Sequence, residues 1–567
     1  MQKQLRLIIS CGLIIASCAQ TPTRDVVATP QLPPMAKSDK GLVVTCQSIA
    51  AQVGLDILKT GGNAADAFVA ATVAEYVTAP GYTSLSGPLY VLYYDKKSGK
   101  TTYLNAGLNT VADKSGQWND QKQIPGTAYV IGGAGRGIEA LYNKFGSHTY
   151  KFKDLIAPSV ALAKNGFVLD RSFAGAIRAR ARVLKNSAAW TSVYTSNGKP
   201  LAVGNILVQP AMAETLNNFA DKGADYLFKG KYAKNLVKFI TAQGGKLTLK
   251  DLANYQVQWS EPLEAQYRGL TIQTSSYRSY GGLELLLDLK AIENFDFSNQ
   301  PHFSKDIGIF DKVARTFIFS KHEIFHYMKF ENREDDPQKQ REIAEGPLSK
   351  KVWAEVTDVN TAAPPTKDIG SHSCSPVIID KEGNIAAGVH TINTLQWGDF
   401  GFMVDGIALN TAHDVALDAP PGTRAIDGLN PVLVFKNGTP LIAASFFSSG
   451  LHAAGFQTLL NLIDYKMNPQ QAIGSPRFGP PTSYKPLQMV LDKRFPADWI
   501  SNYAKQGIVL SQPEGFVDTG MAMVIAIDPA TDLRSGSPTD LLRFAIVGDN
   551  SKRDNLQQYD SPMGHSI

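Results

Sequence analysis

Residues 371 to 394 constrain this chain more than any other stretch. Ser371-His372-Ser373-Cys374-Ser375-Pro376 leads into the apolar run Val377-Ile378-Ile379, and after Asp380 the turn letters Lys381-Glu382-Gly383-Asn384 precede a second run, Ile385 to Thr394. Two apolar, β-branched runs joined by a glycine-containing turn predict a hairpin, with small nucleophiles at its mouth. Such a cluster suits an enzyme that cuts its own chain before a serine and then uses that serine. A serine hydroxyl is a weak nucleophile without a base in reach, but as the first residue of a chain it has its own α-amine, whose ordinary pKa is about 7.7–8.0. The amine exists only after the preceding peptide bond is cut. The same letters also suit a polar linker entering a strand, so the rest of the chain must decide.

The first eighteen residues do not belong to the fold. Lys3 and Arg6 form a short positive region, Leu7 to Ile15 an apolar one, and Ile15-Ala16-Ser17-Cys18 closes it. The apolar core is too short to span a bilayer as a helix and reads as an export signal. Residues 19 to 38, rich in Pro and Thr, read as a flexible tether. Beyond them, a 44% hydrophobic chain of 567 residues has ample core for a large globular body. A net charge of +5, dispersed along the chain, argues against a nucleic-acid partner. Cys11, Cys18, Cys46 and Cys374 have no zinc-type spacing, and nothing in the sequence pairs Cys46 with Cys374.

Helical and extended patterns alternate along the body. Ile49–Leu58 and the Ala-rich Ala64–Val77 have helical spacing. Leu89–Tyr94 and Thr101–Leu104 read as strands around a turn, residues 135 to 245 as mainly helical, Gly269–Gln273 as extended, and Gly281 onward as a helix. The polar run Glu331–Arg341 reads as a surface excursion, and Asp358–Gly370 as a linker to the serine cluster. Strands near 377–393, 431–435, 440–445, 508–511 and 521–527, with a helix over 452–466, complete the pattern. Two extended regions plus helices predict stacked sheets between helical layers.

The order of landmarks resembles the γ-glutamyltranspeptidase family of self-processing, N-terminal-nucleophile amidohydrolases. Gly61-Gly62-Asn63-Ala64-Ala65-Asp66-Ala67 is similar to its early glycine-rich signature, and Ile156-Ala157-Pro158 through Gly166-Phe167 to its Pro-Ala helix. Asp251–Tyr255, Tyr267-Arg268-Gly269, Ile379–Asn384, Gly406–Asn410 and Ser475-Pro476-Arg477-Phe478 follow in the family's order. The resemblance runs from about residue 40 to 550 and implies a four-layer αββα sandwich. A large segment, 39–372, and a small one, 373–567, would pair in one body after self-cleavage. Separately, Ile15–Cys18 looks like a bacterial lipobox, which implies lipidation of Cys18 and a periplasmic, membrane-anchored enzyme; the other reading is an ordinary signal peptide with an incidental Cys. No cofactor is implied, and the substrate is a small-molecule amide or peptide, such as a γ-glutamyl compound, with transfer to water or an amine.

The family's nucleophile stands seven residues before the Asp of the strand-end turn, which points to Ser373, with Cys374 next in line if the register slips by one. The matching assisting residues are Thr391 and Asn393; Asn410 and the oxyanion-hole positions Phe447 and Ser448 fall at the substrate. The departures lie in glutamyl recognition. The family's carboxylate-binding Arg is missing from Leu104–Leu108, and its Ser-Ser-Met-Ser-Pro loop corresponds to Asp427-Gly428-Leu429-Asn430-Pro431. Its paired glycines give way to Phe447 and Ser448, and Thr411-Ala412-His413 replaces the polar residues that follow Asn410. One reading is therefore an amide hydrolase for a different acyl group, bulkier or less polar given Phe446 and Phe447. A second is an inactive homologue kept as an anchored binding protein. A third is a zinc protease through His322-Glu323-Ile324-Phe325-His326, with Glu345 as a further ligand.

Overall fold

The computed structural model describes residues 35 to 548 except 117, 119–122, 277, 331–336, 365–372, 418, 485–486, 506–507, 514–518 and 540–544. Residues 1 to 34, with Cys18, the export signal and nearly all of the tether, lie outside that range.

Two antiparallel sheets make the centre. The first runs in the spatial order Ala545–Gly548, Leu42–Thr45, Val377–Ile379, Ile385–Thr391, Leu89–Asp95, Lys100–Ala106, Gln258–Ser260, with the short strand Ser373–Cys374 added along Ile385–Thr391. The second runs Ala36–Ser38, Arg534–Pro538, Met521–Ile527, Thr439–Phe447, Val432–Lys436, Leu270–Thr274, Leu263–Tyr267. Each sheet combines strands from both sides of residue 373. The sheets face each other where Ile385–Thr391 meets Thr439–Phe447, and there Ser445 Oγ donates to the Gly388 carbonyl at 3.0 Å.

Helices close the outer faces, completing the αββα sandwich. Ser48–Lys59 and Ala64–Thr78 pack on the first sheet, Tyr280–Ile292 and Leu451–Ile463 on the second. Every residue of Ala64–Thr78 is buried, which its Ala-rich sequence permits because small side chains let strands and a neighbouring helix approach on all sides. Asn63 and Asp66 form a capping box at its start. Among the described residues no helix is long and apolar enough to cross a membrane.

The hairpin is pinned to that helix. Asp380, in the turn, accepts from Ala64 N at 2.9 Å, Asn384 N at 2.9 Å and Asn384 Nδ2 at 2.8 Å. One carboxylate thus closes the turn and meets the positive end of the helix, while Gly383, at φ +90°, takes the left-handed position.

Three expectations change. The tether does not extend to residue 38, because Ala36–Ser38 pairs with Arg534–Pro538. The polar run at 331–341 is not wholly a surface excursion: Pro337–Glu345 is a helix, Gln340 is fully buried and Arg341 Nε donates to the Glu264 carbonyl at 2.8 Å. Finally, a separate four-stranded sheet forms from Phe478–Tyr484, Leu487–Leu491, Ile508–Ser511 and Ala504–Lys505. Only Ile508–Ser511 was legible, since Pro480 and Pro481 mask a strand that tolerates them at the sheet edge.

Replacing Asp380 with Ala leaves three donors without their acceptor. The expected loss is about 3 kcal/mol of unfolding free energy, measured by urea denaturation against wild type, with Glu382→Ala in the same exposed turn changing little.

Candidate active site

Ser373 and Thr391 are directly paired across the strand boundary, and Cys374 is paired with His390. Ser373 is buried, and its Oγ has no hydrogen-bond partner among the described residues. Downstream, the chain turns sharply: Asn393 is left-handed at φ +59° and its N–H donates to Thr391 Oγ1 at 2.7 Å. The structure therefore brings Ser373, Thr391 and Asn393 together through one strand pair and one turn.

Asn393 is held from a second direction. Its Nδ2 donates to Asp427 Oδ2 at 3.2 Å, as does the Tyr90 hydroxyl at 3.2 Å, and Gly428 N donates to Oδ1 at 2.7 Å. Burial pushes the Asp427 carboxyl up to about 6, against the opposing pull of those three donors. Sequence reasoning noted the altered loop but gave Asp427 no role; the signal was an acid where the family has a hydroxyl.

Behind the strand Ser373–Cys374 lies a second buried acid. Glu75 Oε2 accepts from His390 Nε2 at 2.6 Å, while Oε1 accepts from Cys46 N at 3.0 Å and from Thr45 Oγ1. Both Glu75 and His390 are fully buried, and Tyr76 meets the His390 ring edge-on at 5.0 Å. These residues were also missed, although a charged letter beyond the first turn of a mostly apolar, Ala-rich helix was a readable sign.

Glycine permits the close packing around Thr391. A Cβ on Gly87 would lie 1.7 Å from the Thr391 carbonyl oxygen, so the loop at Ser84–Gly87 can touch that strand only without a side chain. Asn410 braces the same loop. Its Nδ2 donates to the Ser86 carbonyl at 2.5 Å and the Val130 carbonyl at 2.8 Å, and its Oδ1 accepts from Val130 N at 3.3 Å. Fully buried, Asn410 is thus placed as a clamp between two loops.

Phe446 and Phe447 belong to the core, Phe446 against Gly455, and neither ring lines the polar cavity below. They give no reason to expect a bulky apolar acyl group. Ser448 is buried and left-handed at φ +74°, the conformation glycine ordinarily supplies.

An arginine does reach the stretch that lacks one. Arg424 Nη1 donates to the Asn105 carbonyl at 2.9 Å, Nε to Asn109 Oδ1 at 2.6 Å and Nη2 to the Gln256 carbonyl at 2.8 Å, with the guanidinium 5.0 Å from the Tyr255 ring centre. With Arg278, Asn109, Asn254, Gln256 and Gln258 it lines a cavity of about 290 Å³.

The His-Glu-x-x-His match assembles no metal centre among the described residues. Glu323 pairs with Lys351 at 2.9 Å, and neither His322 nor His326 joins a group of three close ligands. The group that does is Cys46, Glu75 and Cys374, all buried, with ligand atoms within 4.8 Å of one another.

Comparison with known proteins gives the family. The family model described as Gamma-glutamyltranspeptidase matches residues 50–539. The chain belongs to that family. It is similar to the glutathione hydrolase proenzyme of Bacillus subtilis (strain 168), 29% identical over 557 residues that cover 90% of this chain and 92% of the relative. An acylase proenzyme of Pseudomonas sp. (strain SE83) is 26% identical over 476 residues, covering 78% and 83%. The crystal structure of cephalosporin acylase from Bacillus halodurans superposes with a TM-score of 0.81 at 21% identity, over 93% of this chain and 99% of that one, sharing the fold.

The Asp427 carboxyl yields a pH test. With its folded pKa raised to about 6 against about 3.9 unfolded, its contribution is greatest below pH 4 and is lost as pH rises through 6. Asp427→Asn stays neutral throughout. Relative to this variant, wild type should lose about 2–3 kcal/mol of unfolding free energy between pH 4 and 7.5, measured by urea denaturation at both pH values.

Proposed function

We propose that this chain is a self-processing amidohydrolase that uses Ser373 twice. In the first step Ser373 Oγ attacks the carbonyl carbon of His372, the peptide C–N bond breaks, and the acyl group passes to Oγ as an ester. Water then hydrolyses the ester, leaving a carboxylate on His372 and a free α-amine on Ser373. In the second step that amine takes the hydroxyl proton, directly or through a water, as Oγ attacks the amide of a substrate; the substrate C–N bond breaks, the proton passes to the departing amine, and the acyl group stays on Oγ as an ester. Water or an amine then accepts the acyl group.

One observation carries this reading. Ser373 Oγ is buried beside Thr391 with no hydrogen-bond partner among the described residues, in a family whose relatives include proenzymes. A nucleophile without a side-chain base suits one that obtains its base by becoming a chain end. Thr391 and Asn393 are assigned to positioning the reacting carbonyl, and the backbone around Phe447 and Ser448 to the oxyanion.

For the acyl donor we favour a polar amide. The relatives named glutathione hydrolase and acylase support amide chemistry. The cavity beside Arg424 and Arg278, lined otherwise by side-chain amides, favours a donor rich in hydrogen-bond acceptors over an apolar one. Arg424 and Asp427 share one short loop, so the cavity and the residue that holds Asn393 are linked along the chain. In the same reading the enzyme is exported and held at a bacterial membrane through Cys18.

The test is the mass and N-terminal sequence of purified wild type beside Ser373→Ala. Wild type should give a fragment beginning Ser-Cys-Ser-Pro-Val, and the variant should remain a single chain. An uncut wild type after days at neutral pH overturns the assignment, and a cut before Cys374 moves it by one residue.

A further inference from the structure

Cys46 and Cys374 are the two cysteines of the body, and the fold places them together although 327 residues separate Cys46 from Ser373. Both are buried and in thiol form. Their sulfurs lie within 4.8 Å of each other, and Cys46 Sγ also lies 3.9 Å from the Ser373 carbonyl oxygen. Each is fixed by backbone: Cys46 N by Glu75 Oε1 at 3.0 Å, and Cys374 by its pairing with His390.

The third member of this group makes a metal ion a poor occupant. Glu75 Oε1 already accepts two hydrogen bonds, and Oε2 accepts the 2.6 Å bond from His390. A metal would have to displace part of that network. What remains for the sulfurs is each other, and two sulfurs within 4.8 Å can be brought toward the bonding distance of about 2 Å by side-chain rotation.

We propose that Cys46 and Cys374 form a disulfide across the processing junction, so that the two fragments stay covalently joined after the chain is cut. Cys46 lies in the segment before residue 373 and Cys374 is the second residue of the segment after it. The joining role rests on the self-processing reading; the bond itself does not. The oxidant is an aliphatic disulfide. One protein thiolate attacks it and releases a small thiol; the second protein thiolate displaces the other, giving one protein disulfide and two small thiols that carry away the two protons. Burial pushes the Cys46 thiol up to about 11, and exchange requires thiolate, so the bond forms as the chain folds, before the site closes. It then fixes the nucleophile strand to the end of Leu42–Thr45 without depending on an intact peptide at His372.

The experiment uses full-length protein expressed with its export signal, alkylated in denaturant without reductant, with alkylation mapped and counted at Cys46 and Cys374 alone. Denaturing gels are run with and without dithiothreitol, alongside intact masses and Cys46→Ala. The expected result is one full-length band without reductant, two bands with it, no alkylation before reduction, and a gain of about 2 Da across the reduced pair. Cys46→Ala should separate into two bands without reductant. Two bands and two alkylated thiols in unreduced wild type overturn the proposal, whether or not zinc accompanies them. A single band under both conditions shows that self-processing has failed. The alkylation count then decides the disulfide by itself: no free thiols support it, and two overturn it.

Discussion

The site depends on one buried carboxylate. Glu75, near the end of the mostly apolar helix Ala64–Thr78, accepts from Thr45, the backbone of Cys46 and His390. An acid in a sealed interior is costly unless its lone pairs are met, and three donors meet these. The consequence is geometric. Helix Ala64–Thr78, the end of strand Leu42–Thr45 and strand Ile385–Thr391 are locked together at the point where Cys374 pairs with His390. Ser373 is the next residue, so its placement is determined by a hydrogen-bond centre to which it does not itself contribute.

Much of this was legible because it is periodic or local. The hairpin around Lys381–Asn384, the Ala-rich helix and the central strands follow from apolar spacing and turn letters that the structure reproduces within a residue or two. The order of landmarks likewise pointed to a two-sheet sandwich and to the family. Contacts between distant segments were not legible. No local pattern says that Glu75 meets His390, that Asp427 meets Asn393, or that Cys46 meets Cys374, since each joins segments brought together only by sheet order. The same holds for Gly87, whose missing side chain matters only because the Thr391 carbonyl lies against it. Phe446 and Phe447 show the opposite error: adjacent aromatic letters suggested a pocket lining, and the strand alternation buried both in the core.

The departures from the family pattern have a common physical form. Where an arginine is missing from Leu104–Leu108, the guanidinium of Arg424 enters from another loop and bonds to Asn105, Asn109 and Gln256. Where a hydroxyl is missing, Asp427 takes the position and accepts from Asn393 and Tyr90. In both cases the charged group is engaged by the protein's own donors or acceptors. A guanidinium already bonded on three of its nitrogens is less able to grip a carboxylate bidentately.

Ser448 shows how a substituted site can keep its backbone function. A non-glycine residue at φ +74° carries strain, and it persists only where the surroundings over-determine it. Here the Ser448 carbonyl accepts from Leu451 N at 3.2 Å as helix Leu451–Ile463 begins. Two residues on, a Cβ on Gly450 would lie 2.3 Å from Gly520 N. The strand end, the helix start and the neighbouring Gly520 thus fix the turn from three sides. Since a backbone N–H is indifferent to the side chain beside it, a turn held this firmly keeps its donors aimed after glycine is lost. The proposed acyl chemistry therefore needs no glycine at 448, only the left-handed turn that the fold imposes.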